Sequence, residues 1–208
     1  MTVVAHHHPF TRAASIVSML EEVETPYELK YIDIMTGEQK QPSFLELNPM
    51  GKVPVIQDGE VIISEVAAIG LYLADRYASE RLAPALDDPA RGAYLRWSLF
   101  GPSVIEPAAY MAANNIEYGA GQAGWGEFQA MQATLEHAIG DGPWLLGDRF
   151  TMADLVFGLT ARFMLRFKMI EARDPVVSYV DRLSARPSVV RADALNAKII
   201  EERGLARG

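Results

Sequence analysis

The sequence predicts an α/β domain with the element order βαβ-α-ββα, followed by an all-helical domain. Three observations carry this prediction. A short β-branched run at residues 2–6 and an alternating segment at residues 27–34 flank a stretch whose apolar residues recur with helical spacing. The pair Val53-Pro54 opens a hairpin that turns at Gln57-Asp58-Gly59 and runs into a helix start at Ser64-Glu65. Beyond Pro84 every periodic segment is helical.

Thr2 to His6 reads as a buried strand that enters a loop at His7-His8-Pro9-Phe10. The next helix places Ala13, Ile16, Val17, Leu20 and Val23 on one face, and Thr25-Pro26 stops it because proline lacks the N–H a helix needs. Tyr27 to Ile34 is the second strand; strand, helix, strand implies a right-handed parallel unit. A polar stretch from Gly37 to Pro42 leads to a helical turn at Ser43 to Leu47 and then to the hairpin. The helix from Ser64 to about Tyr77 closes a first domain at residues 1–78. Residues 79–87 lose the periodicity, carry Pro84 and read as the linker to a helical domain at 88–208.

In that domain Pro89 suits the first turn of a helix running toward Leu99, and Gly101-Pro102 interrupts it before a segment from Ile105 to Ala113. The four glycines between Gly119 and Gly126 mark a loop, and a helix near Glu127 to Ile139 ends at Gly140-Asp141-Gly142-Pro143. In Phe150-Thr151-Met152-Ala153-Asp154-Leu155, Thr151 caps the next helix while Asp154 reaches back to the Thr151 N–H, with Phe150 placed to pack on Leu155. Each half of such a box contributes about 1 kcal/mol, so Asp154 is a folding residue rather than a chemical one. Helices near Val176 to Ala185 and Pro187 to Glu202 finish the chain.

The 208 residues, half of them hydrophobic and 22% charged, are the composition of a globular protein large enough for two cores. A formal charge of −8 argues against nucleic acid or an anionic membrane as partner, since both reward clustered Lys and Arg. With no cysteine there is no disulfide, no thiolate metal site and no protein-thiol mechanism. No apolar run reaches membrane-spanning length and the N-terminus lacks a basic-then-apolar leader, so the expected location is the cytoplasm.

The hairpin carries the chemistry. Proline cannot donate to a sheet ladder, so Pro54 belongs at a strand's first residue or in a turn. A cis Val53-Pro54 bond satisfies this and turns the Val53 main chain outward toward an extended ligand; an edge proline in a trans hairpin is the alternative. At the helix start, Ser64 and Glu65 stand beside free N–H groups at the positive end of the helix dipole. Glu65 suits a ligand's ammonium and the N–H groups its carboxylate, the two charges of an α-amino acid. Taken singly, each is also an ordinary residue for a helix start.

The order Asn48-Pro49-Met50-Gly51-Lys52-Val53-Pro54, strand, turn, strand, Ser64-Glu65, helix resembles the glutathione-binding half of the bacterial-type cytosolic glutathione S-transferase family, and the likeness extends through Phe150 over nearly the whole chain. It implies a thioredoxin-like first domain with cis-Pro54, and glutathione as co-substrate. By resemblance Val53 pairs with the cysteinyl part of glutathione, Glu65 takes the γ-glutamyl ammonium and Lys52 the glycyl carboxylate. The family places serine directly after the acidic residue; this chain has Val66 there and Ser64 one residue before. The γ-glutamyl carboxylate is then held by N–H groups alone or with help from Ser64. Absence of cysteine excludes the cysteine-dependent branches of the family.

Conjugation needs the glutathione thiol as a thiolate. In the family a side chain just after the first strand donates a hydrogen bond to it, and Thr11, in Pro9-Phe10-Thr11-Arg12, aligns there. Such a bond contributes roughly 1.5–3 kcal/mol, equivalent to about one to two units of thiol pKa. Capping of the helix by Thr11 is the competing role, and Ser15, one turn on, is the second candidate donor. Arg12 either holds a carboxylate or lies in solvent. His6, His7 and His8 alternate faces in an extended chain, which discourages convergence on a metal ion, and no metal is expected.

By resemblance the electrophile lies between the first loop and the first long helices of the second domain. His8, Phe10, Trp97, Phe100, Tyr110, Met111 and Phe167 are the candidates to line it, although aromatic and Met residues at helical spacing are mostly core. The implied activity is glutathione transfer to a hydrophobic electrophile, with detoxification as its setting and a homodimer as the assembly. A non-catalytic glutathione-binding or assembly module of the same fold, and a glutathione-dependent isomerase or ring-opening enzyme, are the alternatives.

Overall fold

In this computed structural model residues 2–206 are described. β1 (Val3–His7) is the axis of a four-stranded sheet ordered β2-β1-β3-β4, with β2 at Tyr27–Tyr31, β3 at Val55–Asp58 and β4 at Val61–Ser64. β1 runs parallel to β2, Val3 facing Tyr27 and His7 facing Tyr31, and antiparallel to β3, where His6 faces Val55. β3 and β4 form the antiparallel hairpin expected from Asp58-Gly59, with Val55 opposite Ser64. The helices of this part are α1 (Ala14–Val23), α2 (Pro42–Leu45) and α3 (Val66–Tyr77), which realises the βαβ-α-ββα order and the thioredoxin-like fold.

Two boundaries differ from the sequence reading for identifiable reasons. β1 takes in His7, whose carbonyl accepts the Ile32 N–H at 2.9 Å and so keeps the ladder going. β2 stops at Tyr31 rather than Ile34, because Asp33 turns the chain: its Oδ1 accepts the N–H groups of Met35 and Thr36 at 3.0 and 3.3 Å. Ile32, Phe44 and Val55 form a buried cluster, with Ile34, Leu47 and Val53 packed against it.

The second part contains α4 (Arg91–Phe100), a π-helical stretch at Gly101–Ile105, α5 (Glu106–Ala113), α6 (Phe128–Ile139), α7 (Met152–Arg166) and α8 (Asp174–Ser184). The interruption expected at Gly101-Pro102 is this π-helical stretch. A Cβ added to Gly101 would stand 3.0 Å from Thr160 Oγ1, so glycine lets the segment lie close on α7. Every residue from Thr151 to Ala161 is buried, which makes α7 the spine of this unit.

The chain divides into two compact units differently from the expected 79–87 linker and 88–208 domain. The helical unit is Ala78–Ala185, and the residues from Arg186 onward belong with the first unit. The segment expected as linker is packed: Leu82 is buried and its carbonyl accepts the Met152 N–H at 2.8 Å. The last helix, α9 (Pro187–Glu202), lies on α1. The Glu22 carboxylate accepts from the Arg186 guanidinium and from the Ser188 hydroxyl, both at 2.5 Å, and Glu21 meets Arg191 at 2.5 Å. Opposite charges placed more than 160 residues apart are not legible as a pattern in one segment, which is why α9 reads from sequence as the end of the helical domain.

Candidate functional site

The Val53-Pro54 peptide bond is cis. Val53 lies just outside β3, and no described residue hydrogen-bonds its N–H or C=O. A main-chain pair of this kind requires partners, and an extended ligand supplies them. The preceding loop is held from within. Asn48, buried, donates from Nδ2 to the Lys52 carbonyl at 2.8 Å and accepts the Met50 N–H at 3.1 Å. Gly51 has φ +58, and a Cβ there would stand 2.8 Å from the Gln39 carbonyl, so the tight approach demands glycine. Lys52 is exposed at the end of this loop, and Lys40 joins it by donating to the Met50 carbonyl at 2.9 Å. Lys40 and Asn48 escaped the sequence reading; the Asn-Pro-x-Gly turn was the signal available for Asn48.

Because Val55 pairs with Ser64, the chain at Val53 and the first turn of α3 stand at the same end of the hairpin. The helix begins at Val66, two residues later than the Ser64 its sequence suggests. Ser64 ends β4 and Val66 opens α3, while Glu65 between them is the cap, its carbonyl accepting the Ile69 N–H at 2.9 Å. Glu65 has φ +70, in the left-handed region that non-glycine residues avoid at a cost of about 1 kcal/mol or more. Its side chain is exposed, Val66 is buried, and the first-turn N–H groups lack intrahelical acceptors. A carboxylate, two lysines, an unpaired main chain and a helix N-terminus thus share one end of the hairpin. Together they match a zwitterionic, peptide-like ligand with an extra carboxylate.

Thr11 lies in the turn between β1 and α1. Its hydroxyl donates to the His8 carbonyl at 2.8 Å and accepts the Ala13 N–H at 3.1 Å. Thr11 is therefore a turn residue, three positions ahead of Ala14 where α1 begins. Ser15, half-buried in the first turn of α1, makes no side-chain hydrogen bond among the described residues. Phe10 is half-buried, its ring centroid 5.8 Å from that of His8.

The three histidines are each 1% exposed, His6 and His7 within β1 and His8 in the loop that follows it. His6 Nε2 pairs with Gln57 Oε1 at 2.8 Å, His7 Nε2 with Asn196 Oδ1 at 2.7 Å, and His8 Nδ1 accepts the Phe10 N–H at 3.2 Å. Burial lowers the pKa of all three, that of His7 to about 4. They point to different partners, and no metal-binding group of His, Asp or Glu occurs among the described residues.

In the helical unit, Trp97 is buried with its ring 5.4 Å from Phe100 and 6.2 Å from Phe157, so it is core. Phe100 and Met111 are half-buried, and Tyr110 and Phe167 are more than half exposed. Asp154 builds the capping box: it accepts the Thr151 N–H at 2.8 Å, and also the Leu145 N–H and the Tyr179 hydroxyl at 2.8 and 2.9 Å. Burial raises its pKa against these donors. No helix among the described residues is long and apolar enough to cross a membrane.

Comparison with known proteins bears on both units. The family description "Glutathione S-transferase, N-terminal domain" matches residues 1–75, and "Glutathione S-transferase, C-terminal domain" matches residues 111–189. Glutathione S-transferase 3 of Zea mays is 30% identical over 187 residues, covering 83% of this chain and 84% of its own. A glutathione transferase from Methylococcus capsulatus is similar in structure, with a TM-score of 0.77 at 25% identity, covering 94% of this chain and 99% of its own. Another, from Burkholderia graminis, crystallised with two glutathione molecules bound per subunit, has a TM-score of 0.76 at 25% identity and covers 92% of this chain and 87% of its own.

Proposed function

The chain belongs to the glutathione S-transferase family, and from that premise we propose that it binds glutathione along the hairpin and transfers it to a hydrophobic electrophile. The observation that carries this is the unpaired Val53 main chain standing at the same end of the hairpin as the exposed Glu65 cap. In this reading Val53 pairs with the cysteinyl part of the tripeptide and Glu65 takes the γ-glutamyl ammonium. The first-turn N–H groups of α3, with Ser64 beside them and Val66 supplying no hydroxyl, take its carboxylate. Lys52 and Lys40 take the glycyl carboxylate, and Pro54 ends the ladder so that Val53 stays free. The glutathione-bound relative from Burkholderia graminis supports glutathione as the ligand.

Thr11 is the donor to sulfur, with Ser15 as the second candidate. A thiolate is a charged acceptor, and hydrogen bonds to charged groups outweigh neutral ones, so sulfur within reach takes the Thr11 proton from the His8 carbonyl. The Ala13 N–H stays on the oxygen and leaves the hydroxyl proton free to donate. The thiol proton passes to solvent, the sulfur attacks an electrophilic carbon, a C–S bond forms, and a leaving group such as halide departs with its bonding pair. In the helical unit Phe100, Tyr110 and Met111 are the proposed contacts of the electrophile, with Trp97 packed against Phe100 as core. A homodimer, a cytoplasmic location and a detoxifying role complete the proposal.

Thr11→Val tests it. With an aromatic halide as substrate, turnover is expected to fall about ten- to a hundredfold, the equivalent of roughly 1.5–3 kcal/mol, with glutathione affinity kept within a few-fold. Unchanged turnover would move the role to Ser15, a histidine or a backbone N–H. A second reading, a glutathione-binding module without catalysis, draws on the Thr11 hydroxyl already having a partner; retention on glutathione-agarose with no conjugation would favour it.

A further inference from the structure

His8 has no chemical part in the reading above, yet the Thr11 turn is built on it. Its carbonyl accepts both the Thr11 N–H, at 3.2 Å, and the Thr11 hydroxyl, at 2.8 Å. Its ring closes the same turn from the side, Nδ1 accepting the Phe10 N–H at 3.2 Å. The ring packs against Phe10 and Tyr31, at centroid distances of 5.8 and 5.4 Å. The Arg203 guanidinium in turn lies over the Tyr31 ring, 3.7 Å from its centre. His8 Nε2 is buried with no partner. An unsatisfied buried polar atom costs about 1–3 kcal/mol. A phenylalanine would fill the slot without that cost, so what the imidazole adds is the Nδ1 acceptor.

We propose that His8 is a positioning residue for the transfer reaction: by holding the Phe10 N–H, its Nδ1 locks the turn that aims the Thr11 hydroxyl at the substrate sulfur, with Tyr31 and Arg203 bracing the ring. This rests on the reading of Thr11 as the donor. An acceptor on residue i bonded to the N–H of residue i+2 is the geometry an Asn side chain makes in an Asx turn, so asparagine can replace the histidine where phenylalanine cannot.

The test is steady-state kinetics with reduced glutathione and an aromatic halide on the full chain. His8→Phe is expected to lower kcat at least tenfold while KM for glutathione stays within threefold, and His8→Asn to recover most of kcat. In a Thr11→Val background, His8→Phe is expected to lower kcat less than twofold further, because the group it positions is gone. An equal loss in both backgrounds, or no recovery by asparagine, overturns the proposal. Unchanged kcat in Thr11→Val alone removes the donor reading and this proposal with it, and that single variant identifies which has failed. If His8→Phe does not fold, Tyr31→Leu carries the same comparison: a kcat loss in the parent chain that disappears in Thr11→Val, with a loss persisting in both counting against it.

Discussion

In the proposed reaction Thr11 has one proton and, once a thiol binds, two acceptors for it. The neutral His8 carbonyl holds the proton at 2.8 Å, and only a charged acceptor at comparable distance displaces it. In that reading the activity depends on the turn geometry as much as on residue type. That explains why Thr11 is legible in the sequence as a candidate while the direction of its hydroxyl is not. The histidines make the same point from the other side. Alternation along a strand foretells that His6 and His7 face opposite ways, but their burial depends on Gln57 and Asn196, which are remote in sequence.

Burial of His7 has a consequence in acid. Its pKa is depressed from 6.5 to about 4, so between those values the unfolded chain takes up a proton that the folded chain refuses. The stability from His7 is therefore full above pH 6.5 and is lost as pH falls through 4, about 3 kcal/mol in all. His6 and His8, also lowered by burial, act in the same direction. His7→Leu is expected to shrink the fall in Tm between pH 7 and pH 4.5 measured by thermal unfolding; an undiminished fall would show that His7 does not set it.

Among the elements, α7 depends most on a single side chain. Asp154 gathers the Thr151 and Leu145 N–H groups and the Tyr179 hydroxyl inside the protein. The half of this arrangement that lies within four residues is plain in Thr151-Met152-Ala153-Asp154. The Tyr179 half, 25 positions away on α8, has no sequence signature. Asp154→Ala leaves four buried donors, the Thr151 N–H and hydroxyl, the Leu145 N–H and the Tyr179 hydroxyl, without this acceptor, and chemical denaturation is expected to register a loss on the order of 3 kcal/mol or more. A loss below about 1 kcal/mol would mean that water or a repacked side chain replaces the carboxylate. At the hairpin the register from Val55 to Ser64 follows from the Asp58-Gly59 turn, but the helix start was legible only to within two residues. Serine's preference for the cap position pointed to Ser64, whereas pairing with Val55 keeps Ser64 in the strand and leaves Glu65 to cap at φ +70.

On the scale of the molecule, two units were legible, and the place where the chain returns to the first was not. The apolar spacing in α9, with Val189 and Ala192 buried, is that of any amphipathic helix; the pairs that join it to α1, Glu21 with Arg191 and Glu22 with Arg186 and Ser188, are remote in sequence. Against a charge of −8, the proposed anionic ligand relies on local lysines, Lys52 on the loop before β3 and Lys40 donating to that loop's Met50 carbonyl. The proposed homodimer predicts a solution mass about twice the 22.9 kDa of the chain by light scattering, and a monomer mass at micromolar concentration would withdraw it.

The central claim is that the hairpin end receives glutathione by its amino-acid head. Isothermal titration of the full chain with the reduced tripeptide tests this most directly when the parent protein is run beside Glu65→Ala. The account predicts saturable heat for the parent and at least tenfold weaker binding for the variant, as loss of a charged hydrogen bond of roughly 1.5–3 kcal/mol requires. No heat at millimolar tripeptide, or equal affinity in the two proteins, would contradict it.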